Sequence, residues 1–106
     1  DIIGYINPWN RFGISRANFC GSQVVPQVYH YFDTHDIAGL IAPRPLLIEM
    51  GIYDSCFPIQ DLLTGFAGVE EIYQAAHAEA DLWQEIHPGP HAFAGNKAFA
   101  FFKRYL

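Results

Sequence analysis

The chain has 106 residues and a formal charge of −5, with 16% of its residues charged against 51% apolar. That balance lacks the basic stripe that nucleic-acid binding requires, and it excludes disordered, collagen-like and coiled-coil compositions. An average soluble domain carries about 25% charged residues, and a free domain of this size leaves roughly a third of its unfolded-chain surface wet, so either its aromatic residues cover an interface or the chain belongs to something larger.

The opening Asp1-Ile2-Ile3-Gly4 has neither an initiator Met nor the basic start of a signal peptide, and it reads as a start within a longer chain or as a processed product. Ile2 to Ile6 predicts the end of a strand, running into a loop at Asn7-Pro8. Asn10 to Gln27 holds Gly13, Gly21 and Pro26 without a clean period and predicts mostly loop. The longest uncharged stretch, Ala17 to Phe32, is broken by Gly21, Ser22, Gln23, Pro26, Gln27 and His30, so no transmembrane helix and no membrane partner are expected. Val28 to Leu40 predicts one or two helical turns, with Asp36 as N-cap for Ile37–Ile41 and a stop before Pro43-Arg44-Pro45.

Leu46-Leu47-Ile48-Glu49-Met50-Gly51 predicts a strand covered on both faces of a parallel sheet, apolar except for Glu49. Asp54 follows in a loop closed by Pro58. Ile59 to Ala80 carries Leu62, Leu63, Phe66, Val69, Ile72, Tyr73 and Ala76 at helical spacing, with Gly65 and Gly68 expected to make the first turns irregular. Asp81 to His87 sets Leu82, Gln84 and Ile86 on one parity and predicts a second strand. Pro88-Gly89-Pro90-His91 is a tight loop. Lys97 to Leu106 predicts an amphipathic helix with Phe99, Phe102 and Leu106 on its apolar face. The order strand, helix, strand, helix implies a right-handed βαβ unit in an α/β sheet.

Functional groups in open α/β sheets gather beyond the carboxyl ends of strands. Asp54 and His91 both fall there, on strands that the Ile59–Ala80 crossover would make neighbours. An Asp so placed can accept the Nδ1–H of a His, fix its tautomer and stabilise the imidazolium formed when it takes a proton. Asp followed by His is also the order that closes an α/β-hydrolase triad; the other reading makes Asp54 a loop cap and His91 an ordinary loop residue.

The segment Asp36-Ile37-Ala38-Gly39-Leu40-Ile41-Ala42-Pro43-Arg44-Pro45-Leu46-Leu47-Ile48-Glu49 resembles the approach to the triad-acid strand of dienelactone-hydrolase-like and acetyl-xylan-esterase-like α/β hydrolases. Gly51-Ile52-Tyr53-Asp54-Ser55-Cys56-Phe57-Pro58 is similar to that family's G-x-x-D-x-x-F-P turn, and Pro88-Gly89-Pro90-His91-Ala92-Phe93 to its G-G-H-x-F loop, with Pro90 where the second Gly is usual. Phe19 to Pro26 is similar to the stretch before this region. The resemblance covers residues 1–106 and implies the C-terminal portion of an α/β-hydrolase fold, a partial domain with parallel strands and crossover helices. It implies Asp54 as triad acid, His91 as general base, a small-molecule or carbohydrate ester as substrate, acetylated carbohydrate among them, and no cofactor.

The nucleophile that such a family carries, a Ser in G-x-S-x-G between a strand and a helix, is not matched. Gly13-Ile14-Ser15-Arg16-Ala17 has Ala in place of the last Gly and no strand running into it; Ser22 lies in a loop and Ser55 adjoins the acid. The 106 residues are therefore expected to supply acid and base but no nucleophile. The alternative is a non-catalytic module that associates with a copy of itself through an exposed sheet edge.

Other groupings carry less. His30, Asp33, His35 and Asp36 are four metal-ligating side chains within seven residues; side chains beside a helix cap need no metal, and no metal site is expected. Cys20 and Cys56 show neither C-x-x-C nor zinc-finger spacing and read as buried free thiols. His77 and His87 read as surface or boundary residues, and Tyr5 to Phe12 reads equally as the lining of an acyl pocket or as an ordinary hydrophobic rim.

Overall fold

The computed structural model describes residues 1–9 and 27–106. Three parallel strands, β1 (Ile2–Ile3), β2 (Leu46–Gly51) and β3 (Leu82–His87), form one sheet in the order β1-β2-β3. Helix α1 (Thr34–Gly39) precedes β2, α2 (Ile59–Ala75) connects β2 to β3, and α3 (Ala98–Tyr105) follows β3. The class is α/β, as the alternation of patterns predicts. No helix among the described residues is long and apolar enough to cross a membrane.

All six residues of β2 are buried, because helices and loops cover it on both faces. Leu46, Ile48 and Met50 face Leu62, Phe66, Val69 and Tyr73 of α2 in the main core. Leu47, of opposite parity, meets Ala98 and Phe101 of α3, with Trp83 and Tyr105 packed alongside. β2 and β3 pair along their full length, from Leu46 beside Leu82 to Gly51 beside His87.

Local chemistry moves several boundaries. β1 stops at Ile3 rather than Ile6, since Gly4 takes φ +67° and turns the chain so that Ile6 enters the core. The N-cap of α1 is Asp33, not Asp36: Asp33 Oδ1 accepts the N–H of Thr34 at 2.6 Å, and the Asp36 carboxylate accepts the N–H of Asp33 at 2.7 Å. That exchange is a capping box built from two aspartates. α2 is continuous from Ile59, and Gly65 serves packing: a Cβ there would lie 1.7 Å from the carbonyl oxygen of Ile6.

α2 also ends at Ala75 rather than Ala80. His77 adopts φ +53°, and the N–H groups of His77 and Ala78 return to the carbonyls of Gln74 and Tyr73, which is a Schellman stop with His in the position Gly usually takes. The buried Tyr73 donates its hydroxyl to the carbonyl of Arg44 at 2.6 Å, tying α2 to the chain entering β2. Burial, and secondarily the charge of Asp81, pushes that hydroxyl up to about 12.

The apolar face expected for α3 is the wrong one. Ala98 and Phe101 are buried, while Phe99 is 81% exposed and Phe102 and Leu106 also face outward. Aromatic residues occupy both sides of this helix, and Trp83 selects the side that docks: its ring meets Phe101 at 5.6 Å, with the Arg104 guanidinium 5.8 Å above it. In β3, Glu85 and His87 are buried whereas Ile86 is exposed.

Candidate active site

The turns that leave the carboxyl ends of β2 and β3 are stitched together. The N–H of Ile52 donates to the carbonyl of His87 at 2.9 Å, and that of Tyr53 to the carbonyl of Gly89 at 3.0 Å. Gly51 permits this approach, because a Cβ on it would sit 2.5 Å from the Gly89 oxygen. The chain after β3 is thereby pressed against the turn after β2, and the two sequence-predicted site residues meet.

His91 Nδ1 lies 2.8 Å from Asp54 Oδ2. The other carboxylate oxygen, Oδ1, accepts the N–H of Cys56 at 2.8 Å and that of Phe57 at 3.0 Å. Three donors thus hold a carboxylate whose side chain is 1% exposed, whereas the His91 side chain is 41% exposed. A carboxylate oxygen accepts, so the hydrogen of this bond lies on His91 Nδ1 and Nε2 is the ring atom left to exchange a proton.

The backbone at Gly4 closes one side of the pair: a Cβ there would be 3.1 Å from Asp54 Oδ2 and 3.3 Å from His91 Nδ1. Phe57 lies beside the imidazole with centroids 5.2 Å apart, and Tyr5 meets Phe57 edge-on at 5.7 Å. Tyr5, Phe57 and His91 form an aromatic cluster beside the pair. Residues 10–12 of the Tyr5–Phe12 stretch lie outside the described residues.

The remaining candidates separate from this centre. Asp33 and Asp36 are committed to the cap of α1, with Asp33 also accepting the N–H of Trp9, and among the described residues no three His, Cys, Asp or Glu side chains are grouped to hold a metal ion. Cys56 is a free thiol, but it is exposed rather than buried, since its turn faces outward. His77 is exposed; His87 is buried, contrary to expectation, beneath the Gly89 backbone. Ser55 is exposed beside Asp54, and Ser15, Ser22 and Cys20 lie outside the described residues.

Sequence reasoning missed the two buried carboxylates of the sheet, Glu49 and Glu85, whose oxygens accept from the backbone of residues 94–97. The only signal was a Glu in an otherwise apolar strand. Comparison of the chain with protein-family models, curated proteins and solved structures finds no match.

Proposed function

We propose that Asp54 and His91 are the acid and base of a serine-hydrolase triad acting on carboxylic esters, in the closing part of an α/β-hydrolase sheet. The observation that carries this reading is the 2.8 Å contact between a buried, triply held Asp54 carboxylate and Nδ1 of a half-open His91. The bond fixes the tautomer in which Nε2 can take a proton, and Asp54 stabilises the imidazolium that results. The pair's place at the carboxyl end of the sheet, and the resemblance of the Asp54 and His91 turns to the dienelactone-hydrolase-like and acetyl-xylan-esterase-like pattern, support it further.

A Ser supplied by a segment outside these residues attacks the acyl carbon as His91 Nε2 removes its proton. His91 then returns that proton to the departing alcohol, and water repeats the sequence on the acyl-enzyme. The oxyanion donors belong to the same outside segment. Tyr5 and Phe57 offer the acyl group an apolar wall.

The test is hydrolysis of p-nitrophenyl acetate. In a protein joining these residues to their nucleophile segment, His91→Ala should lower turnover by about a thousandfold or more, and a chelator should leave it unchanged. The 106 residues alone should show no turnover. Retained activity in His91→Ala, or loss on chelation with recovery on adding zinc, would overturn the proposal and direct attention to His30, Asp33 and His35.

The outward side of α3 favours a second reading. Phe99, Phe102 and Leu106 are exposed on one short helix, and among the described residues β1 and β3 each pair on one side only. A non-catalytic module associating through a sheet edge fits those features. Sedimentation showing a compact monomer at every concentration would count against it.

A further inference from the structure

We propose that Glu49 and Glu85 are positioning residues for His91, holding the loop that carries it by its backbone; the proposal rests on the reading of His91 as the base. The two glutamates are register partners on adjacent strands, and both are buried. Glu49 Oε2 accepts the N–H of Ala94 at 2.7 Å, and the N–H of Gly95 is shared between Oε1 at 3.3 Å and Oε2 at 3.4 Å. Glu85 Oε1 accepts the N–H of Asn96 at 3.2 Å together with its side-chain amide, and Oε2 accepts the N–H of Lys97 at 2.7 Å. Four consecutive backbone donors, residues 94–97, are taken by two carboxylates of the sheet.

A buried carboxylate is a costly way to fill a strand, and an apolar side chain of similar volume serves a core as well or better. The Lys97 ammonium does not neutralise this pair; it donates to the carbonyl of Gln84. What the glutamates obtain is the placement of a backbone segment three residues beyond His91. On the near side, Gly89 is held by the N–H of Tyr53. Between those two anchors, His91 is bonded to Asp54. The segment that carries the imidazole is thus held at its start and at its end, and releasing the far end lets His91 leave Asp54.

NMR of the full chain tests this through the imidazole Nδ1 proton, a resonance shifted downfield by donation to Asp54 and absent in Asp54→Asn. Glu49→Gln places an amide group against backbone donors. Asn96→Asp sets a carboxylate beside Glu85 from an exposed residue and leaves both sheet glutamates in place, which gives a second variant if Glu49→Gln does not fold. In each variant the Nδ1 proton should exchange with solvent at least about tenfold faster, the scale of losing one charge-assisted hydrogen bond. Amide protection along α2 should stay within about twofold of the unsubstituted chain.

An unchanged Nδ1 proton in the folded variants would overturn the proposal, as would a loss of protection in α2 equal to that at His91, which marks a general stabilising role. The readout uses no substrate. In a protein joining these residues to the proposed nucleophile segment, ester hydrolysis with a His91 signal that ignores both substitutions contradicts the positioning role alone; a signal that responds in a protein that hydrolyses nothing contradicts the functional reading alone.

Discussion

The two faces of the sheet are built from different materials. On the α2 side, Leu46, Ile48 and Met50 meet Leu62, Phe66, Val69 and Tyr73 in a hydrophobic cluster. On the α3 side, a small cluster of Leu47, Ala98 and Phe101 adjoins two buried glutamates that hold backbone. The first arrangement is nondirectional and supplies stability in proportion to the area it buries. The second is directional, and its geometry fixes where a loop lies. One strand, β2, serves both by alternation: its even residues enter the core, and Glu49 reaches the loop beyond His91.

Substitutions on the two sides should separate these roles. The largest loss of stability is expected from Leu62→Ala, which opens a cavity in the fully buried α2 core and should cost about 4 kcal/mol in denaturant unfolding. Phe101→Ala should cost less, about 3 kcal/mol, because Trp83, Tyr105 and Phe102 surround it with aromatic rings that can close on the space. A reversed order would break the contrast between the faces.

Tyr73→Phe removes the hydrogen bond to Arg44 and should cost about 1 kcal/mol at neutral pH. Its folded hydroxyl titrates near 12 against an ordinary 10. The native state therefore holds this proton more tightly, so the linked stability is complete below pH 10 and fades as pH rises towards 12. Unfolding measured across that window should fall more steeply in the unsubstituted chain than in Tyr73→Phe. The smallest effect belongs to Phe99→Ser, which should change stability by no more than about 0.5 kcal/mol because the ring lies in solvent. A large loss there would mean that the outward face of α3 is covered.

Sequence reading reaches the α2 side more easily than the α3 side, for physical reasons. The run Leu46 to Gly51 between Pro and Gly, and the spacing of Leu62, Phe66, Val69 and Tyr73, report burial directly. Asp54 and His91 were legible because each follows a strand within a turn of recognisable composition. Glu49 and Glu85 were not, since their partners are backbone N–H groups, which no side-chain pattern announces; the bond from Ala94 to Glu49 spans 45 residues. The stop of α2 was hidden because His77 takes the left-handed position that Gly normally signals. The docking side of α3 was misread because Phe99, Phe101 and Phe102 look alike until Trp83 is placed beneath one of them.

Under the proposed function, Asp54 fixes the tautomer of His91 and supports the charge that His91 takes on. The most direct test is turnover of p-nitrophenyl acetate by a protein joining these residues to the proposed nucleophile segment, with Asp54→Asn as the only change. A fall in kcat of about 10⁴ with little change in KM is expected, because the amide leaves His91 in the wrong tautomer and unsupported in charge. A kcat within about tenfold of the unsubstituted protein, a difference of only about 1.4 kcal/mol in the barrier, would contradict it.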